Sequence, residues 1–237
     1  MGSKNVCLAI VTVSQQSQRI NFQVTSITIY QDKVTGRLIT SKQPVENKNL
    51  EVGTLAGGCF WCTEAVFRII KGIKRIAPGY TGGSVPNPSY EAVSTGITGH
   101  AEAVQVFFDP KVIIYREILE IFFTMHDPTS LNRQGVDVGT QYCSAIFYNN
   151  QEQKETVEKL INELNKEGVW DKPIVTRVEP LKIFYNAEPY HKEYYKKHPK
   201  ESYCQLVIIP KIAKLQHYFI DKIKVPYDKP NSSKLRR

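Results

Sequence analysis

From Val52 to Val178 the chain alternates short apolar runs with longer stretches whose apolar residues recur at helical spacing, and glycine, proline or asparagine punctuates the boundaries. Each strand face and each helix stripe must be buried against another element, so this alternation confines the fold to an α+β class: a mixed sheet with helices packed mainly on one face. The order reads βαββαβαβ. A short strand from Val52 to Ala56 leads into a helix with the stripe Cys62, Ala65, Val66, Ile69, Ile70 and Ile73, at i, i+3, i+4, i+7, i+8 and i+11. A strand around Lys74–Ala77 closes at Pro78-Gly79, and another from Glu102 to Phe108 closes at Asp109-Pro110. Ile114, Ile118, Ile121, Phe122 and Met125 mark a second helix that stops before Pro128. Tyr142–Tyr148 is strand-like. Asn150 with Gln153 resembles a capping box for a third helix, striped by Val157, Leu160, Ile161 and Leu164 and closed by Gly168. Ile174–Val178 is the last strand; beyond Pro180 the pattern fades into a coil that carries Cys204.

The chain of 237 residues therefore divides into an N-terminal extension at 1–50, a main domain at 51–210 that includes this C-terminal coil, and a basic tail at 211–237. The extension is polar apart from the alternating Phe22, Val24, Ile27 and Ile29 before a turn at Asp32–Gly36, the pattern of a hairpin or of a partly ordered arm. Lysine and arginine number 31 against 23 acidic residues, a net charge of +8, but the excess collects near the C-terminal end rather than in a reading element, which disfavours nucleic acid as a partner. Five cysteines, an odd number, are no disulfide scaffold and fit a reducing compartment, the cytoplasm. No apolar run approaches the roughly 20 residues needed to span a membrane. Val6–Val13 weakly resembles the core of an export signal, without a cleavage site of the A-x-A kind after it.

Residues 57–62 read GGCFWC. Cys59 falls at a helix start, where free N–H groups and the positive end of the helix dipole favour a thiolate, and the glycines leave the sulfur open to a ligand. A thiolate alone reacts with many electrophiles. Glu102, in an apolar setting, would hold a proton to donate; as the opening residue of a strand it is equally well a solvent-facing edge. Tyr90 and Tyr142 supply phenols, and Asp137 sits in a breaker-rich loop. Phe60 and Trp61 follow the nucleophile and suit a soft, apolar group such as a methyl or thioether. Cys59-Phe-Trp-Cys62 is formally a CxxC, so Cys62 is either a redox partner or a small core residue; Cys143 has the same ambiguity. His100 and His191 are candidates for thiolate activation or metal binding, but neither shows ligand spacing.

The series GCFWCTEAVF, GYTGG, NPSYEAV, GHAEAVQVFFDP, HDPTSLNRQGVDVGTQY and AEPYHKEYY, from about Gly57 to about Pro210, resembles peptide methionine sulfoxide reductase A in order and spacing. The resemblance implies an α/β roll, a two-layer sandwich with a ferredoxin-like core, and reduction of methionine S-sulfoxide, free or in proteins, as a repair of oxidised proteins. It implies Cys59 as nucleophile, Glu102 as the acid that protonates the sulfoxide oxygen, Tyr90 and Tyr142 as its hydrogen-bond donors, Asp137 as an assistant, and Phe60 with Trp61 as the cradle of the methyl. A sulfenic acid on Cys59 would condense with a second thiol. Cys204 ranks first because a coil can travel, with Cys62 and then Cys143 as alternatives. Thioredoxin, or dithiothreitol in vitro, would reduce the disulfide; no metal or bound organic cofactor is implied, and a monomer suffices. Most members carry glycine where Cys62 stands and arginine where Cys143 stands, although CFWC variants also occur. The competing reading is a general CxxC thiol–disulfide oxidoreductase.

Overall fold

The structure, a computed structural model, describes residues 50–224 and, by backbone alone, three strands at 7–12, 23–31 and 38–42. The chain forms two compact units, Met1–Asn49 and Leu50–Arg237. In the first, β1 (Cys7–Thr12), β2 (Gln23–Gln31) and β3 (Leu38–Lys42) form an antiparallel sheet in that order. The alternating Val24, Ile27 and Ile29 lie on β2, and the stretch weighed as an export signal largely coincides with β1. The expected turn at Asp32–Gly36 lies outside the described residues.

The second unit runs β4 (Glu51–Gly57), α1 (Phe60–Arg68), β5 (Ile73–Thr81), α2 (Tyr90–Ser94), β6 (Ala101–Phe108), α3 (Tyr115–Met125), β7 (Arg133–Gln134), β8 (Asp137–Val138), β9 (Ser144–Tyr148), α4 (Gln151–Lys166), β10 (Arg177–Pro180), β11 (Phe184–Asn186) and α5 (Tyr194–Lys197). A π-helical turn, Cys204–Ile208, then leads into α6 (Ile209–Tyr218). The main sheet has the order β10-β9-β4-β6-β5-β11, antiparallel except for β9–β10. Its four inner strands with α1 and α3 are the ferredoxin-like split βαβ arrangement, and the expected mixed sheet and two-layer packing are what the chain forms.

The sheet faces are unequal because alternate side chains point to opposite sides. Val104, Val106 and Phe108 of β6 and Leu55 of β4 face the helices and join the main core with Phe67, Ile118, Phe122 and Val157. Ala56, Ala101, Ala103, Cys143, Ala145 and Phe147 make a thin second cluster on the other side, covered by Leu181 and Phe184. Glu102 alternates with Ala101 and Ala103, so it faces the helices and is 2% exposed. The edge reading of Glu102 therefore fails.

Several boundaries differ from expectation. Pro78 does not end a strand: β5 continues to Thr81, with Pro78 opposite Val104 and its carbonyl accepting from Ala187 N at 2.9 Å. Asn150 caps α4, its Oδ1 accepting from Gln153 N at 2.8 Å, but the Gln153 side chain serves Asn149 N and Val52 O, so the capping box is half formed. The largest correction is C-terminal. Residues 201–223 are neither coil nor tail: Cys204, Ile208, Ile212, Leu215 and Ile223 are buried in the main core. Each apolar side chain so buried contributes roughly 1.5–3 kcal/mol. Pro210 marks no break, because at the first turn of α6 its missing N–H is not needed. The end of this segment is tied back to α1 through Lys71 N to Lys222 O at 2.7 Å and Lys224 N to Ile69 O at 2.9 Å. The expected basic tail beyond residue 224 lies outside the described residues.

Candidate active site

The turn from β4 into α1 depends on two glycines. A Cβ on Gly57 would stand 2.7 Å from the Phe122 ring, and one on Gly58, whose φ is +88°, would stand 2.6 Å from Gln134 Cγ. Phe122 from α3 and Gln134 from the β7–β8 loop therefore close down on the turn. Cys59 is the N-cap of α1, its carbonyl accepting from Cys62 N at 3.1 Å and Thr63 N at 3.3 Å. Both sulfurs are buried, Cys59 at 7% and Cys62 at 1% exposure.

The first free N–H of α1 does not serve the sulfur. Phe60 N donates instead to Glu102 Oε2 at 3.0 Å, across the 42 residues that separate them. Burial nonetheless raises the Glu102 carboxyl to about 8, against the lowering by that N–H and with help from the Asp137 charge. Glu102 is therefore mostly protonated at neutral pH. Cys59 and Cys62, three residues apart across the first turn of α1, shift each other's ionisation. Cys59 is pushed well up, first by burial and then by Cys62, whereas Cys62 is drawn down to about 7, chiefly by Cys59 and with help from Lys211 against its own burial. Burial thus disfavours the charged form of Cys59, and its neighbours favour that of Cys62. The expectation of a resting thiolate on Cys59 is corrected: its helix donor is taken and burial dominates.

Around the sulfurs stands an aromatic wall. Phe60, 1% exposed, lies 5.8 Å from the Tyr80 ring, 6.4 Å from Tyr90 and 4.9 Å from His191. The half-buried Trp61 stacks on Tyr194 at 3.7 Å and donates its indole N–H to His191 Nδ1 at 3.0 Å. Burial keeps His191 neutral by lowering its pKa, so it is an acceptor that orients Trp61. Glu188 holds the far side, accepting from Tyr80 OH at 2.7 Å and Tyr90 N at 2.9 Å. The Tyr90 phenol is raised to about 12 and Tyr142 is raised further, in each case first by burial and next by Glu102, with Cys59 also acting on both. Both phenols therefore remain protonated donors beside the acid and the nucleophile.

A buried thiol pair, a protonated carboxyl held on the backbone next to the first thiol, and phenol donors within the field of both form a site for delivering a proton and a sulfur nucleophile to one neutral substrate. A family model for peptide methionine sulfoxide reductase matches residues 51–223. This chain belongs to the peptide methionine sulfoxide reductase family. It is 56% identical over 176 residues to the peptide methionine sulfoxide reductase MsrA of Saccharolobus solfataricus, covering 74% of this chain and 98% of the relative. The corresponding values for MsrA of Deinococcus radiodurans are 55% over 174 residues, 73% and 84%. Among solved structures, reduced Mxr1 from Saccharomyces cerevisiae matches with a TM-score of 0.63 at 38% identity, over 68% of this chain and 92% of that one. Methionine sulfoxide reductase A of Corynebacterium diphtheriae matches with 0.59 at 32%, over 68% and 80%.

Within this reductase fold, the residues singled out in the sequence fall into two groups. Cys59, Phe60, Trp61, Cys62, Tyr90, Glu102 and Tyr142 gather at the start of α1. Asp137 reaches the same place indirectly: Tyr203 OH donates to Asp137 Oδ2 at 2.7 Å and lies 3.4 Å from Cys62 Sγ. Cys143 stands apart, and Cys204, within electrostatic reach of Cys62, is locked in the core. Cys204 is 0% exposed where the π turn begins, so the travelling coil on which its resolving role rested does not exist. Cys143 faces the thin second cluster, on the opposite side of the sheet from Cys59, and accepts from Arg177 Nη2 at 3.1 Å. His100 clamps the 82–89 loop, accepting from Gly83 N at 3.0 Å and donating to Val85 O at 2.7 Å, which leaves it neither metal ligand nor thiol activator. Sequence reasoning missed Tyr80, Glu188 and Tyr203 altogether. The first two lie in or beside quoted motifs, whereas Tyr203 has no local signal beyond preceding Cys204.

Proposed function

We propose that this chain reduces methionine S-sulfoxide, free or in proteins, with Cys59 as nucleophile, Glu102 as acid and Cys62 as the resolving thiol. The observation that carries the proposal is the arrangement at the start of α1, where Glu102 is held on Phe60 N, next to Cys59, and the Cys59, Cys62 and Glu102 side chains shift one another's ionisation. Sulfoxide sulfur accepts a nucleophile only as its oxygen receives a proton, since otherwise an oxide would have to leave. Glu102 holds that proton at neutral pH, and Tyr90 and Tyr142 donate to the same oxygen. Cys62, as the resting thiolate, takes the Cys59 proton as Cys59 attacks. Methionine leaves, Cys59 carries the oxygen as a sulfenic acid, Cys62 is a thiol, and Glu102 is ionised. Phe60 and Trp61 cradle the methyl, with Trp61 held by His191 and Tyr194.

Cys62 then displaces the sulfenic oxygen as water and forms a Cys59–Cys62 disulfide. A dithiol of the thioredoxin type reopens it by exchange, entering at Cys59, the more exposed of the two sulfurs. No bound cofactor enters these steps. A monomer in a reducing compartment such as the cytoplasm suffices, and the four cysteines whose side chains are described are free thiols. Among the described residues no helix is long and apolar enough to cross a membrane. The deciding experiment is one turnover with methionine S-sulfoxide and no reductant, followed by peptide mapping. One methionine released with a Cys59–Cys62 link supports the proposal. Failure to reduce the sulfoxide in dithiothreitol, or full activity of Cys59→Ser, overturns it; insulin reduction with no sulfoxide reduction would instead favour a general thiol–disulfide oxidoreductase.

A further inference from the structure

Cys62 ends the first step carrying the proton it took from Cys59, and it must lose that proton before it attacks. Cys62 is 1% exposed, so direct loss of the proton to solvent is slow at neutral pH. One polar chain leads away from it. Cys62 Sγ is 3.4 Å from Tyr203 OH, and Tyr203 OH is 2.7 Å from Asp137 Oδ2. Tyr203 has one proton and gives it to the carboxylate, so its oxygen is left as an acceptor and Cys62 S–H is the donor. Asp137, at the far end of the chain from the sulfur, is partly exposed.

We propose that Tyr203 and Asp137 form a proton relay that deprotonates Cys62 for disulfide closure. This rests on the reading of Cys62 as the resolving thiol. The S–H proton moves to the Tyr203 oxygen while the Tyr203 proton moves to Asp137, so the hydrogen-bond chain reverses direction: protonated Asp137 donates to Tyr203, and Tyr203 donates to the new thiolate. No tyrosinate forms at any stage. Burial and the neighbouring Cys59 and Cys62 charges hold the Tyr203 phenol far above its ordinary range, so only a paired shift is open to it. The Cys62 sulfur then forms the S–S bond and the Cys59 S–O bond breaks. The oxygen leaves with its own proton and one from solvent, and Asp137 returns one proton to solvent, so the step is balanced. Tyr203 also packs edge-on against Trp61 at 5.9 Å, which fixes the phenol in line. The titratable groups near the relay are Cys59 and Cys62 on α1, Glu102 on β6, Asp137 on β8 and Lys211 on α6.

The test is rapid-quench analysis of one turnover without reductant, with methionine release and disulfide closure timed separately and sulfenic acid trapped by dimedone. In Tyr203→Phe, which keeps the ring against Trp61, closure should fall about 10²-fold more than methionine release at pH 7, the lower end of the range for proton-transfer catalysis. Trapped sulfenic acid should rise, and the deficit should shrink towards pH 9 as Cys62 ionises without help. Asp137→Asn should show the same selective deficit. Equal losses in both steps, or a deficit independent of pH, would mean that Tyr203 only supports the fold, and the relay is overturned although Cys62 remains the resolving thiol. A wild-type map that links Cys59 to any other cysteine overturns the relay and the reading beneath it together.

Discussion

Glu102→Gln should separate activity from stability, moving them in opposite directions. Glutamine keeps an oxygen for Phe60 N and the shape of the side chain, but it carries no acid proton and never charges. In the wild type the folded carboxyl titrates near 8 against an ordinary 4.5. A carboxyl with a raised folded pKa holds a proton that the unfolded chain has lost, so its contribution to stability falls as pH rises from 4.5 to 8 and is level beyond. The loss accumulated by pH 7 is roughly 3 kcal/mol, and it reaches roughly 5 kcal/mol above pH 8. The variant escapes that loss. Urea titrations followed by circular dichroism at pH 5 and pH 8 should therefore show wild-type stability dropping by several kcal/mol relative to Glu102→Gln, while single-turnover methionine release by the variant falls about 10²- to 10⁴-fold. Parallel stability curves over this pH range would refute the buried, protonated carboxyl. Unchanged methionine release would remove Glu102 from the acid role.

The pH dependence of kcat/KM should be a narrow bell, rising near 7 as the thiol pair loses its first proton and falling near 8 as Glu102 ionises; Glu102→Gln should lose the descending limb of its residual activity. Cys62→Ala should release one methionine and stall with trappable sulfenic acid when thioredoxin is the reductant, whereas Cys204→Ala should keep turning over, and a stalled Cys204→Ala would return the resolving role to that residue. Trp61→Phe, which removes the donor to His191 Nδ1 but keeps a ring against Tyr194, should raise KM more than it lowers kcat and lower stability by roughly 1–3 kcal/mol for the buried acceptor left unpaired. Gly58→Ala should cost roughly 2–4 kcal/mol in chemical denaturation, from the left-handed backbone and the Gln134 contact together.

The elements foreseen in the sequence are those with one clean buried face. Val104, Val106 and Phe108 on β6, and the Ile118, Ile121 and Phe122 stripe of α3, point to single layers of core, and periodicity reports burial. Those missed are short or masked by a breaker. The π turn before α6 shifts the stripe of Ile208, Ile212 and Leu215, and Pro210 within it resembles an end signal although it stands at a tolerated position. Glu102 was within reach of a parity argument, since it shares its face with Val104 and Val106. The charge on the sulfurs was not. It depends on a hydrogen bond from Phe60 N to a strand 42 residues away, and local pattern carries no information about which distant acceptor takes a helix N–H. Tyr203 escaped for the same reason, because its partners Asp137 and Cys62 are 66 and 141 residues distant.

The use made of the α1 N-terminus explains how one small site holds both an acid and a nucleophile at the same pH. A helix start that stabilised a Cys59 thiolate would set a second negative charge beside Glu102 whenever that residue ionised, and the thiolate would draw the acid proton to itself before substrate arrived. Here the helix donor holds the carboxyl in place, burial keeps it protonated, and ionisation is favoured one helical turn further on at Cys62, where Lys211 helps. Cys59 becomes nucleophilic only as its proton crosses to Cys62, which is useful only when an electrophilic sulfur is present to be attacked. Glycine at position 62 removes that acceptor. A Cys62→Gly variant should accordingly lose rate in the first step as well as in closure. A first step of wild-type speed in Cys62→Gly would show that Cys59 finds another base and that Cys62 serves closure alone.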